Sequence, residues 1–107
     1  MSVSISRGKT DETIERIKSA LDHYQSDNPN SCIDLYRHSP YAVRVRIVDP
    51  RFASMSRRDR HGSVWNYFDT LSDETVNDIT MLVLIAPGEA KSSGANIDFE
   101  DPVPGSS

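Results

Sequence analysis

From Ile14 onward the apolar residues fall at Ile14, Ile17, Leu21 and Tyr24, the three- and four-residue spacing of one helix face. Thr10 is placed to cap that helix. Asp11 and Glu12 lie where the helix dipole favours negative charge. Ser26-Asp27-Asn28-Pro29-Asn30 closes the helix near Gln25. The period then drops to two. Ile33 and Leu35 alternate with Cys32, Asp34 and Tyr36, and Val43, Val45 and Ile47 alternate with Arg44 and Arg46. The link Arg37-His38-Ser39-Pro40-Tyr41 is short enough to join the two strands as an antiparallel hairpin.

Helical spacing returns after Asp49-Pro50. Ser56, with Asp59 three residues on, resembles a capping box. The helix it opens carries His61, Val64, Trp65 and Phe68 on one stripe, with Trp65 read as core. Leu71-Ser72-Asp73-Glu74 ends it and starts a short third helix through Asp78. Ile79 to Ala86 forms the last strand, stopped by Pro87-Gly88.

This order, α-β-β-α-α-β, predicts an α+β domain. The helical crossover between the second and third strands makes those two parallel. A three-stranded mixed sheet with helices on one face follows. The domain spans 10–87, after a flexible lead over 1–9. The segment 88–107 reads as a disordered acidic tail rich in Gly, Ser and Pro, too poor in apolar residues to offset its ordering entropy. In the last strand Met81, Val83 and Ile85 share one face and Leu82 and Leu84 the other. With helices on one side only, the Leu82 and Leu84 row needs cover from tail residues Ile97 and Phe99, from a second copy of the chain, or from a protein partner.

Composition narrows the class. A chain of 107 residues is one domain by length, and a core this small supplies only a few kcal/mol. Cys32 is the single cysteine, which rules out an internal disulfide and a zinc site on paired cysteines and fits a reducing compartment. Nothing near the start resembles a secretory leader, and no apolar run approaches the roughly 20 residues that span a bilayer. A cytoplasmic protein without membrane contact is expected.

Charge is unevenly distributed. The net charge is -4, yet seven of twelve basic residues lie between Arg37 and Arg60 against two acids, Asp49 and Asp59. Arg44, Arg46, Arg57, Arg58, Arg60 and His61 are the candidates for binding an anion or a nucleic acid. Arginines in the first turn of a helix oppose its dipole at about 0.3–1 kcal/mol each, a cost that a ligand or salt links to Asp49, Asp59, Asp73 or Glu74 would offset. Against nucleic acid stands the single glycine, Gly62, between Gly8 and Gly88, which leaves no Gly-x-x-Gly loop. The short helix at 73–78 is acidic as well, a poor match to phosphate. His38, in the hairpin loop, is the candidate metal ligand. No nucleophile-base-acid spacing, phosphate-cradling loop or metal-ligand cluster stands out, so a non-enzymatic protein is expected.

The run Arg51-Phe52, Met55, Arg60-His61, Val64 and Phe68, with nine residues from Phe52 to His61, resembles the signature of the BolA family. The likeness covers roughly residues 12–86 and implies a fold similar to the type II KH domain. It further implies a regulatory binding module that contacts a protein partner or forms a homodimer. Two alternatives come with it, a nucleic-acid-binding regulator and an adaptor sharing a [2Fe-2S] cluster with a monothiol glutaredoxin. In cluster-sharing members a histidine opens the last strand. Here Thr80 takes that place. A second family ligand falls at His38, so the resemblance implies no resident cofactor unless His38, with Cys32 or His61, supplies what Thr80 lacks.

Overall fold

Capping and strand parity explain most of the architecture in the computed structural model, which describes residues 3–7, 11–40, 42–89 and 93–100. The chain is α+β. The elements are β1 (Ser4–Arg7), α1 (Glu12–Asp27), β2 (Cys32–Ser39), β3 (Ala42–Val48), α2 (Arg57–Trp65), α3 (Asp73–Asn77), β4 (Ile79–Ile85) and α4 (Gly94–Glu100). Short 3₁₀ turns at Pro50–Ser54, Asn66–Phe68 and Pro87–Glu89 join them.

The cap of α1 is Asp11, one residue after the expected Thr10; its carboxylate accepts from the Ile14 N–H at 2.9 Å. Asn28 ends the helix, its backbone and side-chain N–H groups both donating to the Tyr24 carbonyl. Ser56 and Ser72 cap α2 and α3 by accepting from the N–H of Asp59 and Thr75. These hydroxyls satisfy donors that a helix start leaves without partners.

The three expected strands form a mixed sheet. β2 and β3 pair antiparallel, with Leu35 opposite Val45, and β3 and β4 run parallel, with Val45 beside Leu82 and Ile47 beside Leu84. The sheet gains a fourth strand. β1 lies parallel to β2, giving the order β1-β2-β3-β4. The flexible lead expected over 1–9 is therefore corrected for 3–7, where Val3 is buried and Ile5 packs on the core. Residues 1, 2, 8 and 9 lie outside the described residues. α1 and the α2–α3 pair are both crossovers between parallel neighbours. Ile14, Ile17, Leu21 and Tyr24 from α1 meet Ile33, Leu35, Val43, Val45 and Ile47 from the sheet and Phe52, Val64 and Phe68 from the α2 region.

Three further corrections concern the opposite side of the sheet. The segment expected to be a disordered tail holds α4 over 94–100, whose Phe99 is 2% exposed; residues 101–107 lie outside the described set. Helices consequently cover both faces, since Phe99 packs with Tyr36, Val83 and Ile85 away from the main core. The facing of β4 is also reversed. Beside inward-pointing Val45 and Ile47, Leu82 and Leu84 pack on the main core, while Met81, Val83 and Ile85 turn toward α4. A strand apolar at every position from Met81 to Ile85 gives no phase from that run. Its register against β3 decides.

Candidate functional site

The six residues expected to form one anion surface do not gather on an open face. Arg44 is 4% exposed, with its Nη1 3.4 Å from the Tyr36 hydroxyl. Arg46 donates to Asp34 at 2.6 Å, to Glu100 at 2.5 Å and to Asn96 at 3.0 Å, and its guanidinium lies 4.9 Å from the Phe99 ring centre. Both arginines sit on the sheet face that α4 covers. Arg60, on α2, donates to Glu89 through two bonds of 2.7 and 2.8 Å. It also donates to the carbonyls of Leu84, Phe52 and Met55. Its hydrogen bonds hold Glu89 well below the usual carboxylate range, at about 2. Three of the six candidates are therefore tied into the fold, and Arg57, Arg58 and His61 stay exposed on α2.

What the structure does bring together is a groove. It has a volume of about 610 Å³ and runs along β4 from Leu82 to Ile85. Arg57, Arg60 and His61 from α2 form one wall, and Glu89, Ser93 and Gly94 form the other. β4 is the last strand of the sheet, so among the described residues one of its edges has no neighbouring strand. Successive residues of a strand send their peptide groups to opposite sides. The Ile85 carbonyl accepts from Asp49 N–H at the end of β3, and the Leu84 carbonyl points the other way, to Arg60. By that alternation the peptide group of Leu82 faces away from β3; the alternation stops before Thr80, where the register shifts and the Asp78 carbonyl accepts from Val43 N–H. Arg60 covers the Leu84 carbonyl, and Glu89 accepts from the Ala86 N–H at 3.0 Å. The end of the edge near Ala86 is thus closed, and among the described residues the edge at Leu82 is open.

Beside this edge α2 presents an exposed stripe, Arg57, His61 and Trp65, spaced four residues apart. His61 stacks on Trp65, with ring centres 6.2 Å apart and planes 26° from parallel. Trp65 is 39% exposed and meets Phe68 edge-on at 5.4 Å. The sequence reading placed Trp65 in the core, because its neighbour Val64 and the following Phe68 do point inward. The four-residue spacing from Arg57 was the available signal, and the helical stripe it defines is one position round from the buried one. Leu82 and Leu84 line the groove while packing on the main core.

The candidate metal ligand His38 lies on β2 rather than in a loop, half-buried, its ring edge-on to Tyr36. Thr80 is exposed at the head of β4, at the same end of the sheet but separated from β2 by β3. Among the described residues no group of three His, Cys, Asp or Glu side chains converges as a metal site. With a hydroxyl at Thr80 and His38 two strands away, the donors do not fit the shared cluster that the family resemblance implied. Cys32 is exposed on its own at the start of β2. Among the described residues no helix is long and apolar enough to cross a membrane.

Two smaller clefts occur elsewhere. One lies between Tyr24, Arg51, Asn66 and Tyr67, and the other between Arg16, His23 and Leu71. At the first, Tyr24 donates to the buried Asp49 carboxylate at 2.6 Å, which also accepts from Arg51 N–H. Burial, and then the bond to Asp49, raise the Tyr24 phenol above the ordinary tyrosine range. That arrangement is structural, tying α1 to the turn after β3.

Comparison of the chain with protein-family models, with curated proteins and with solved structures finds no match.

Proposed function

We propose that this protein is a non-catalytic binding module that takes a protein partner along the open edge of β4. The observation that carries the reading is the edge at Leu82, bordered by the exposed Arg57 and His61 of α2, with Trp65 stacked on His61. A strand edge offers unpaired peptide groups as a template for an added strand. Arg and Trp are the residue types that contribute most at protein interfaces. β4 itself, Ile-Thr-Met-Leu-Val-Leu-Ile, carries no charge to repel an incoming strand. Natural sheets usually guard such edges, and here Arg60 and Glu89 guard only one end of it.

The chemistry of the partner follows from charge. Arg57 and Arg58 are exposed on α2, whereas Glu89 is bound by Arg60, with Arg57 adding a weaker electrostatic pull. An extended segment with apolar residues toward Leu82 and an acidic residue toward Arg57 matches this groove. The BolA-like resemblance supports a regulatory binding role of the same kind, and a cytoplasmic location belongs to this proposal. Nucleic acid is the weaker reading. Arg44 and Arg46 lie beneath α4, which removes two of the cations it would use.

Selection of a random displayed peptide library on the full chain tests the reading. Enriched peptides should alternate apolar and acidic residues and lose about tenfold in affinity on Arg57→Glu, the equivalent of roughly 1.4 kcal/mol. Selection of basic peptides, or of peptides indifferent to both Arg57→Glu and Leu82→Lys, would remove the groove as the binding site.

A further inference from the structure

The face of the sheet opposite the main core is built to receive one particular pattern of side chains. Phe99 fits between the Tyr36 ring, at 4.9 Å and 61°, and the Arg46 guanidinium, at 4.9 Å. The Tyr36 hydroxyl donates to the Phe99 carbonyl at 2.7 Å, and the next residue, Glu100, places its carboxylate on Arg46. An aromatic ring with a carboxylate one residue on is thus read by an aromatic ring, a phenol and a guanidinium. Charge-assisted bonds of this kind are the stronger and more selective sort.

The segment that supplies the pattern is short. α4 is seven residues long, too short to hold a helix by itself in water. Ile97, its largest apolar side chain besides Phe99, is 56% exposed. Asn96 and Phe99 are the α4 residues buried among those described. With α4 in place, Arg46 Nε is still buried without a hydrogen-bond partner among the described residues, a donor that native packing usually satisfies. The occupant meets the seat only in part.

We infer that this face is a receptor site for a short acidic helix of a partner protein, carrying an aromatic residue followed by a carboxylate, and that α4 fills it in cis as a displaceable self-ligand. The inference is independent of the groove, although Ser93 and Gly94 belong to the groove wall and move with α4. Departure of α4 exposes Tyr36, Met81, Val83 and Ile85, an apolar row that needs replacement cover. Exchange of one such helix for another therefore fits this seat better than simple opening.

The test uses the full chain and a fluorescent synthetic peptide with the sequence of residues 93–107, read by polarisation. When a seat is occupied in cis, apparent affinity falls with the fraction of chains that are open. Glu100→Gln in the chain loosens the cis contact and leaves the seat intact, so the labelled peptide should bind about tenfold tighter than to the wild-type chain. Phe99→Ala should give a larger gain, and Arg46→Met should abolish binding. Leu82→Lys should change nothing at this site. Circular dichroism establishes that each variant folds. Should Phe99→Ala fail to fold, Glu100→Gln carries the test. The proposal is overturned if folded Glu100→Gln binds no better than wild type or if Arg46→Met binds equally well. It is overturned too if Phe99→Ala takes a labelled oligothymidine in preference to the peptide, or if the wild-type chain exchanges α4 only with its own copies, as a dimer that Phe99→Ala abolishes.

Discussion

Arg60 on α2 and Glu89 after β4 face each other through two hydrogen bonds, and the same guanidinium reaches the carbonyls of Leu84, Phe52 and Met55. The arginine pins the start of α2 to the end of β4 and to the turn that precedes the helix. Glu89 is not among the acids that the sequence offered as partners, Asp49, Asp59, Asp73 and Glu74, and the pair is the joint of three segments.

Replacing Arg60 with alanine should cost about 1–3 kcal/mol, chiefly because carbonyls at the base of the groove lose their donor. Equilibrium urea unfolding measures it. Arg58→Ala, on the exposed side of the same helix, should stay within about 0.5 kcal/mol of wild type.

The same pair predicts an acid response. Glu89 falls from an ordinary 4.5 to about 2 in the folded chain. A carboxyl depressed in the fold contributes stability that is present above its unfolded value and is lost as pH falls through the folded one. Stability of wild type should therefore decline between pH 4.5 and 2. Glu89→Gln should show a shallower decline across that window in pH-dependent unfolding. Asp11, lowered by its bonds to Arg37 and to the Ile14 N–H, adds a second contribution that Glu89→Gln leaves in place.

Tyr24→Phe removes the 2.6 Å bond to Asp49 and leaves a buried carboxylate with one partner fewer. A loss of about 1–3 kcal/mol is expected. Tyr24 is raised in the fold, so its contribution is complete below the unfolded tyrosine value of 10 and fades as pH climbs above it. Ultraviolet titration of tyrosinate should show a late step from Tyr24 in wild type that disappears in Tyr24→Phe.

For nucleic acid the account predicts little. With Arg57 and Arg58 as the open arginines of the candidate set, the slope of log affinity against log salt should not exceed about two, and probes should dissociate near physiological salt. Substituting Arg44 or Arg46 should not reduce whatever binding remains. A slope of about four or more in a filter-binding series would mean that the face under α4 takes part.

The sequence disclosed the elements whose apolar period was long and single-valued. Ile14, Ile17, Leu21 and Tyr24 fixed α1 and its buried face, and the Val43-Val45-Ile47 alternation fixed β3. It was silent where too few residues carried the signal. β1 is four residues with a single large apolar side chain, Ile5, and takes its conformation from pairing with β2. α4 rests on one ring, Phe99, in a stretch whose composition reads as disordered. Its omission had consequences for the site. Arg44 and Arg46 were assigned to an open face because nothing in the sequence said that a later helix would lie over them. The unbroken apolar run from Met81 to Ile85 in β4 could not show which row faced inward, so Leu82 and Leu84 were given the uncovered side. In both cases the deciding fact is a pairing with residues distant in the chain.

The central claim is that the Leu82 peptide group stands open to an incoming strand while Val83 is bonded to β3. Amide hydrogen exchange by NMR reads this at single residues. In the free chain Leu82 N–H should exchange much faster than Val83 N–H, and addition of a library-selected acidic peptide should slow Leu82 and leave Val83 unchanged. Protection of Leu82 in the free chain, or no change there at saturating peptide, would contradict the account.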